Sequence, residues 1–293
     1  MPQEEIINSY KEIEDLLNDA NLSCDKLKYL AKEVSANTCS PLSQFPVGAV
    51  TVGIDQNKKV KVFSGTNVEP SVSLSLCAER NAIFSGISAG YKKFIAIAVS
   101  CPKVLENTIG QPELNKIIPC GACREILIQK IDRKGIIILD GHERTFTPKE
   151  LLPKPILDQT KLKTLSLEEL DTLDLTRNAL HNAHAPYSKE KYAVSLLVDN
   201  SNEKFSASTL DSASFGCSVE PLKAVFGAYT AKGYLKKPEN KIKGIFFAFP
   251  FIKYPTGDML QLISDYCDPK TKIVIDNIGI SNIEELLPYP FKL

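Results

Sequence analysis

The chain carries no excess charge of either sign: 35 Lys and Arg stand against 35 Asp and Glu. A neutral balance gives no general electrostatic grip on nucleic acid or on an anionic membrane. Also missing is any run of the ~18–20 uninterrupted apolar residues that a membrane-spanning helix needs. The opening stretch, MPQEEIINSYKEIEDLLNDA, is acidic and amphipathic and lacks the basic, apolar and small-residue sections of a secretory signal. A cytoplasmic protein is therefore expected. In that reducing setting most of the eight cysteines are expected to be buried or half-buried thiols. What is present, 43% apolar and 24% charged residues over 293 positions, suits one large or two ordinary globular domains.

Internal repetition decides between these. FTPKELLPKPI at 146–156 is echoed by SNIEELLPYPF at 281–291, and SPLSQFPVGAV at 40–50 by APYSKEKYAVS at 185–195. LCAERNAIFSGISAGY, ending at Tyr91, is echoed by VEPLKAVFGAYTAKGY, ending at Tyr234. IIPCGACREIL at 117–127 pairs with KYPTGDMLQLI at 253–263. Four echoes in one order, at offsets of 135, 145, 143 and 136, mean two copies of one fold. The expected division is a helical extension at 1–22, a first domain at 23–155, a linker at 156–170 and a second domain at 171–293.

Within a copy, strands alternate with helices, which implies an α/β layer fold. CDKLKYLAKEVSAN has helical apolar spacing, FPVGAVTVGID and VKVFSGTNV read as two strands, and SLCAERNAIFSGISAGY as a helix ending at Gly90. FIAIAVS and GIIILDG read as strands buried on both faces, with CGACREILIQKID as a helix between them.

Cys77 stands 43 residues before Cys120, which opens a Cys-x-x-Cys pair with Cys123. Such a pair at a helix start can bring two thiolates to one zinc ion, and Cys77 also falls at a helix start, where a thiolate is favoured. Three protein ligands leave one tetrahedral position open, the arrangement of a catalytic zinc. Glu79, two positions after a ligand, is a carboxylate that no structural zinc needs and that can carry protons. Cys-x-Glu followed by Pro-Cys-x-x-Cys is the signature of zinc nucleobase deaminases. The competing reading is a closed knot with Cys101 as fourth ligand. Three thiolates on Zn²⁺ leave a net negative site, so a cation is expected beside the sulfurs, Arg80 or Arg124, with solvated surface arginines as the competing reading.

FPVGAV, GTNVE, CAERNAIF and PCGACRE closely resemble the cytidine deaminase family, strongly over residues 40–155, and the whole chain resembles its long two-repeat, homodimeric form. The resemblance implies tandem copies of a three-layer fold, a mixed β-sheet flanked by helices, with the second copy degenerate. It implies one Zn²⁺ per chain and hydrolysis of cytidine and deoxycytidine to the uridine analogue and ammonia, a step of pyrimidine salvage, with Glu79 as proton carrier. It implies that Phe45 packs on the pyrimidine, that Asn67 and Glu69 hold the ribose, and that the Ala78 backbone meets the base. Ordinary core packing is the competing role for Phe45. The family's pocket segment is absent from PSVSLS after Glu69 but appears as DSASFG at 211–216, so Ala213 and Phe215 are expected to wall the cavity of a partner chain, and Phe291 resembles another aromatic that acts from a partner. Glu220, Leu222, Thr256 and Met259 stand where Cys77, Glu79, Cys120 and Cys123 stand, so the second copy can hold no zinc. Related substrates (aminonucleoside antibiotics, nucleotides, polynucleotide cytosine) and a non-enzymatic scaffold around a structural zinc are the alternatives.

Overall fold

Strand β1 (Gly48–Ile54) is buried at every position, and β3 (Lys93–Ser100) at every position but its first, so both are interior strands. From Ala96 onward the side chains of β3 alternate between two cores, as the strand period of two requires, and a bulge at Ile95 puts Ile95 and Ala96 on the same side. Phe94, Ile97 and Val99 enter one core; Ile95, Ala96 and Ala98 enter the other. The computed structural model describes residues 9–201, 203–237 and 239–293. Two compact units emerge from it. One comprises Met1–Pro153 with Thr256–Gln261 and Leu287–Leu293, the other Lys154–Pro255 with Leu262–Leu286.

In the first unit the sheet order is β2-β1-β3-β4, where β2 is Val60–Thr66 and β4 is Ile131–Leu139. β1 pairs antiparallel with β2 and β3, and β3 pairs parallel with β4. β2 is the edge, with Lys61 and Ser64 exposed between buried positions. Helices α1 (Tyr10–Asp19) and α2 (Cys24–Ser35) cover one face through Ile13, Leu17, Leu27 and Ala31. Of the expected helical extension at 1–22, α1 is described from Tyr10, with Ser9 as its cap, and residues 1–8 lie outside the described residues. The other face carries α3 (Ala78–Ser88), whose Ala78, Ala82 and Ile83 join the second core. Gly65 sets how close α3 comes: a Cβ there would sit 2.3 Å from the Ala82 nitrogen and 2.7 Å from the Ala78 oxygen. The helix stops at Ser88 rather than Gly90, because Gly90 takes φ +92 and ends it from outside.

The segment after β3 folds as two short helices, α4 (Pro102–Glu106) and α5 (Leu114–Ile117), followed by α6 (Gly121–Lys130). The helix expected through Asp132 ends at Lys130, since Ile131 is already extended and pairs with Phe94 in β4. Helix α7 (Pro148–Leu151) follows, closed by a Thr147–Glu150 capping box.

The second unit repeats this design. Helix α8 (Leu167–His181) starts inside the expected linker, because Ser166 and Glu169 form a capping box. A turn of 3-10 helix at Gln159–Thr164 occupies more of that linker. Strands β5 (Ala193–Val198), β6 (Phe205–Ser208), β7 (Ile242–Ala248), β8 (Lys272–Ile275) and β9 (Gly279–Ser281) lie in the order β6-β5-β7-β8-β9. Helices α9 (Pro221–Ala231), α10 (Gly257–Tyr266) and α11 (Ile283–Leu286) complete the repeat. The pairing pattern is that of the first sheet, again antiparallel twice and then parallel. Small irregularities recur as well. The register of β1 on β3 shifts at Val52/Gly53, and that of β5 on β7 at Leu197/Val198. The bridges Cys39–Val68 and Val68–Leu76 have counterparts in His184–Leu210 and Leu210–Val219. Two tandem copies of one mixed, helix-flanked sheet are thus what the chain builds.

Candidate active site

Cys77 is the N-cap of α3 and Cys120 the N-cap of α6, so two unpaired helix starts face one point. Cys123 follows one turn into α6. The Sγ atoms of Cys77 and Cys120 lie 3.8 Å apart, and those of Cys120 and Cys123 3.6 Å. Four ligands placed tetrahedrally at a Zn–S distance of about 2.3 Å have an S···S edge of ~3.8 Å, so the three sulfurs fit that ion. Among the described residues, this is the one group of Cys, His, Asp and Glu close enough to hold a metal. Cys101 stands outside it, which excludes the four-cysteine knot; burial instead keeps its thiol protonated.

Hydrogen bonding with Cys120 and Cys123 holds the Cys77 thiol far below the usual range, and the nearby Arg80 charge acts in the same direction. Burial raises the Cys123 thiol. A bound divalent ion would take all three as thiolates. Arg80 donates from Nη2 to Cys77 Sγ at 3.4 Å and to the Ser75 carbonyl at 3.4 Å, which supplies the cation that a three-thiolate site needs. Burial would lower the Arg80 guanidinium, but the three sulfurs outweigh it and raise it. Arg124 is no solvated surface arginine either: it is 1% exposed. Its hydrogen bonds, however, go to backbone carbonyls rather than to sulfur. Burial lowers it to about 10.

Glu79 is 5% exposed and is the second residue of α3, two positions after Cys77. Burial, reinforced by the Cys77 thiolate, pushes its carboxyl up to about 7, where it can both accept and release a proton near neutrality. Above it opens a cavity of about 340 Å³ whose lining includes Phe45, Asn67, Glu69, Ala78, Cys101 and Phe291. Phe291, expected to act from a partner chain, instead lines the cavity of its own chain, because residues 287–293 pack within the first unit, and it meets Phe45 edge to face at 6.1 Å.

The rim is a hydrogen-bonded frame. Asn67 Oδ1 accepts from the Val47 amide at 2.9 Å and from Thr38, and its Nδ2 donates to the Phe45 carbonyl at 2.9 Å. Glu69 accepts from the Leu42 and Ser43 amides and from Ser43 Oγ. Burial would raise the Glu69 carboxyl, but these donors hold it below the usual carboxylate range. The second copy keeps the same frame without the chemistry. Thr209 Oγ1 accepts from the Tyr192 amide, and Asp211 accepts from the Tyr187 and Ser188 amides.

Two family profiles, each described as the cytidine and deoxycytidylate deaminase zinc-binding region, match residues 24–139 and 143–247. The chain belongs to this family. A cytidine deaminase of Sporosarcina psychrophila is 33% identical over 109 residues, 37% of this chain and 70% of the relative. The crystal structure of cytidine deaminase from Burkholderia pseudomallei is similar at 36% identity and a TM-score of 0.38, covering 45% of this chain and 98% of that one. That of the Mycobacterium leprae enzyme is similar at 27% identity and a TM-score of 0.35, over 44% and 97%.

The deaminase thus brings Cys77, Cys120, Cys123, Glu79, Arg80, Phe45, Asn67, Glu69, Ala78 and Phe291 to one place. Ala213 and Phe215 belong to the second unit and do not line this cavity; Phe215 is 63% exposed. Ser43, Ile117, Ile118 and Leu293 line it and went unnamed in the sequence reading. The isoleucines lie just before the Pro-Cys-x-x-Cys motif, and the apolar Ile-Ile-Pro at 117–119 was the available signal.

The second copy's counterpart is not merely stripped of ligands. Glu220 caps α9 and pairs with Lys223 at 2.9 Å, and Leu222 is buried. Where Val47 and Cys101 line the cavity, the matching positions hold Tyr192 and Phe249, stacked at 5.7 Å and buried. Aromatic rings fill the space that the first copy leaves open.

Proposed function

We propose that this zinc deaminase hydrolyses cytidine and deoxycytidine to uridine and deoxyuridine with release of ammonia, as part of cytoplasmic pyrimidine salvage. The observation that carries the reading is a buried proton-carrying carboxyl, Glu79, set beside three converging cysteines under a nucleoside-sized cavity. The division of labour follows the repeat, with residues 23–155 catalytic and 171–293 without chemistry of their own.

Cys77, Cys120 and Cys123 hold the zinc. When bound, that ion supplies the Lewis acidity that makes water a nucleophile near neutral pH. Glu79 takes a proton from the attacking water and passes it to the ring nitrogen beside the amino-bearing carbon. It then takes the second proton of that water from the new hydroxyl and delivers it to the departing amine, so that the carbon–nitrogen bond breaks, the carbonyl forms and ammonia leaves. Phe45 and Phe291 hold the pyrimidine by ring contacts. The Ala78 backbone meets the base, and Glu69, with Asn67 behind it, meets the ribose hydroxyls. A carboxylate at that rim favours an unphosphorylated sugar over a nucleotide. Arg80 offsets the negative charge of the sulfurs. In a homodimer, Ala213 and Phe215 wall the cavity of the neighbouring chain. The exposure of Phe215, and of Val72 and Leu74 at the rim, at 88% and 72%, supports this.

The test follows loss of the cytosine chromophore's ultraviolet absorbance with cytidine, deoxycytidine, CMP and cytosine supplied in parallel. Turnover of the two nucleosides well above the others is expected. Preference for CMP, or no turnover at all, would refute the substrate assignment.

A further inference from the structure

The side chain of Arg124 sits beside a zinc ligand in sequence but acts elsewhere. Its Nε donates to the Pro119 carbonyl at 2.7 Å and its Nη1 to the Leu151 carbonyl at 2.8 Å. Nη1 also donates to the Pro288 carbonyl at 2.6 Å, and Nη2 to that of Tyr289. A fully buried guanidinium whose hydrogen bonds all end on neutral carbonyls is costly to keep, and its planar fork fits four acceptors where an ammonium could not.

Two of those acceptors belong to residues 287–293, the segment that delivers Phe291. It runs irregularly, and Pro288 and Pro290 have no N–H to offer a ladder. Tyr289 takes φ 51, a left-handed conformation that a bulky residue holds only where its surroundings impose it. A second anchor leads to the same helix. Gln261 Nε2 donates to the Phe291 carbonyl at 3.0 Å, while its Oε1 accepts from the Gly121 amide at 3.1 Å, at the start of α6. The Lys292 amide donates to the Asn115 carbonyl at 2.9 Å. Held in this way, Phe291 reaches Phe45, and Phe291 and Leu293 line the cavity.

We propose that Arg124 is a positioning residue. It clamps residues 288–289 to the metal-bearing helix α6, fixes the Phe291 wall, and so sets nucleoside affinity without touching the nucleoside. This rests on the cavity being the nucleoside site, so the experiment begins with the zinc-loaded wild type on cytidine; inactivity there overturns the substrate reading, whatever the variants do. Steady-state kinetics and zinc content are then compared for Arg124→Lys, Gln261→Ala, Phe291→Ala and the pairwise doubles. Arg124→Lys should raise KM about tenfold, the scale of a lost charge-assisted hydrogen bond, with kcat within about twofold and zinc content unchanged. Gln261→Ala should move KM the same way by less. Each double should be no worse than Phe291→Ala alone, because all three changes remove one wall. A fall in kcat or zinc content at unchanged KM, or costs that add with Phe291→Ala, would overturn the clamp. If Arg124→Lys does not fold, the Gln261→Ala and Phe291→Ala cycle decides by the same additivity criterion.

Discussion

Glu79 combines burial with an adjacent thiolate, and its role separates cleanly from that of the ligands. Glu79→Gln should keep the zinc, since the three sulfurs are untouched, while kcat falls by about 10²–10⁴-fold or more; paired metal analysis and turnover assays check both halves. The ligands, the carboxyl and Arg80 were legible in the sequence because they cluster within two short motifs, where spacing alone nearly dictates convergence. Ser43, Thr38 and Gln261 were not. Each acts through a side-chain bond to a partner distant in sequence, and nothing in a lone Ser or Gln marks such a bond. Asn67 shows the converse. Its polar atoms serve the loop that carries Phe45, so part of what reads as substrate recognition is construction.

At the scale of elements, the alternation of strands and helices was legible, because buried strands advertise themselves as unbroken apolar runs, whereas the order of the strands within each sheet was not. Boundaries were less legible: the start of α8 depended on a capping box and the end of α6 on where Ile131 finds a strand partner. The aromatic fill of the second copy was visible in principle, as Val47 and Cys101 align with larger residues, but only the register of β3 and β7 shows which ones. Phe249→Ala should destabilise the protein by roughly 3–5 kcal/mol in denaturant unfolding, the usual cost of emptying a packed aromatic site, without creating deaminase activity there. The α8–β8 contact is pH-sensitive. Burial would raise the Glu169 carboxyl, but the hydrogen bonds from Lys272 and Ser166 outweigh it and hold it below the ordinary range. A depressed folded value means stability that is complete above the unfolded carboxylate range and lost as pH falls through the folded value. The stability difference between wild type and Glu169→Gln should therefore be constant at neutral pH and shrink in acid, as read from denaturant midpoints at several pH values.

For the molecule as a whole, one metal cluster among the described residues and an aromatic-filled counterpart lead to one expected stoichiometry. The purified protein should hold one zinc per chain; two would contradict the retirement of the second copy. Phe215→Ala should raise KM roughly tenfold in the assembled protein, the value of one well-placed aromatic contact, and sedimentation should report a dimer.

The first unit is discontinuous in sequence: residues 256–261 and 287–293 belong to it. Domains generally fold as they emerge from the ribosome, at about 5–20 residues per second. The three cysteine ligands and Glu79 are therefore synthesised on the order of ten seconds before Phe291 and Leu293, which complete the wall of the cavity above them. A growing chain can assemble its metal ligands early, yet it cannot close the wall against a base until residues 287–293 are made, so metal capture and substrate capture are separated in time by the order of the polypeptide itself.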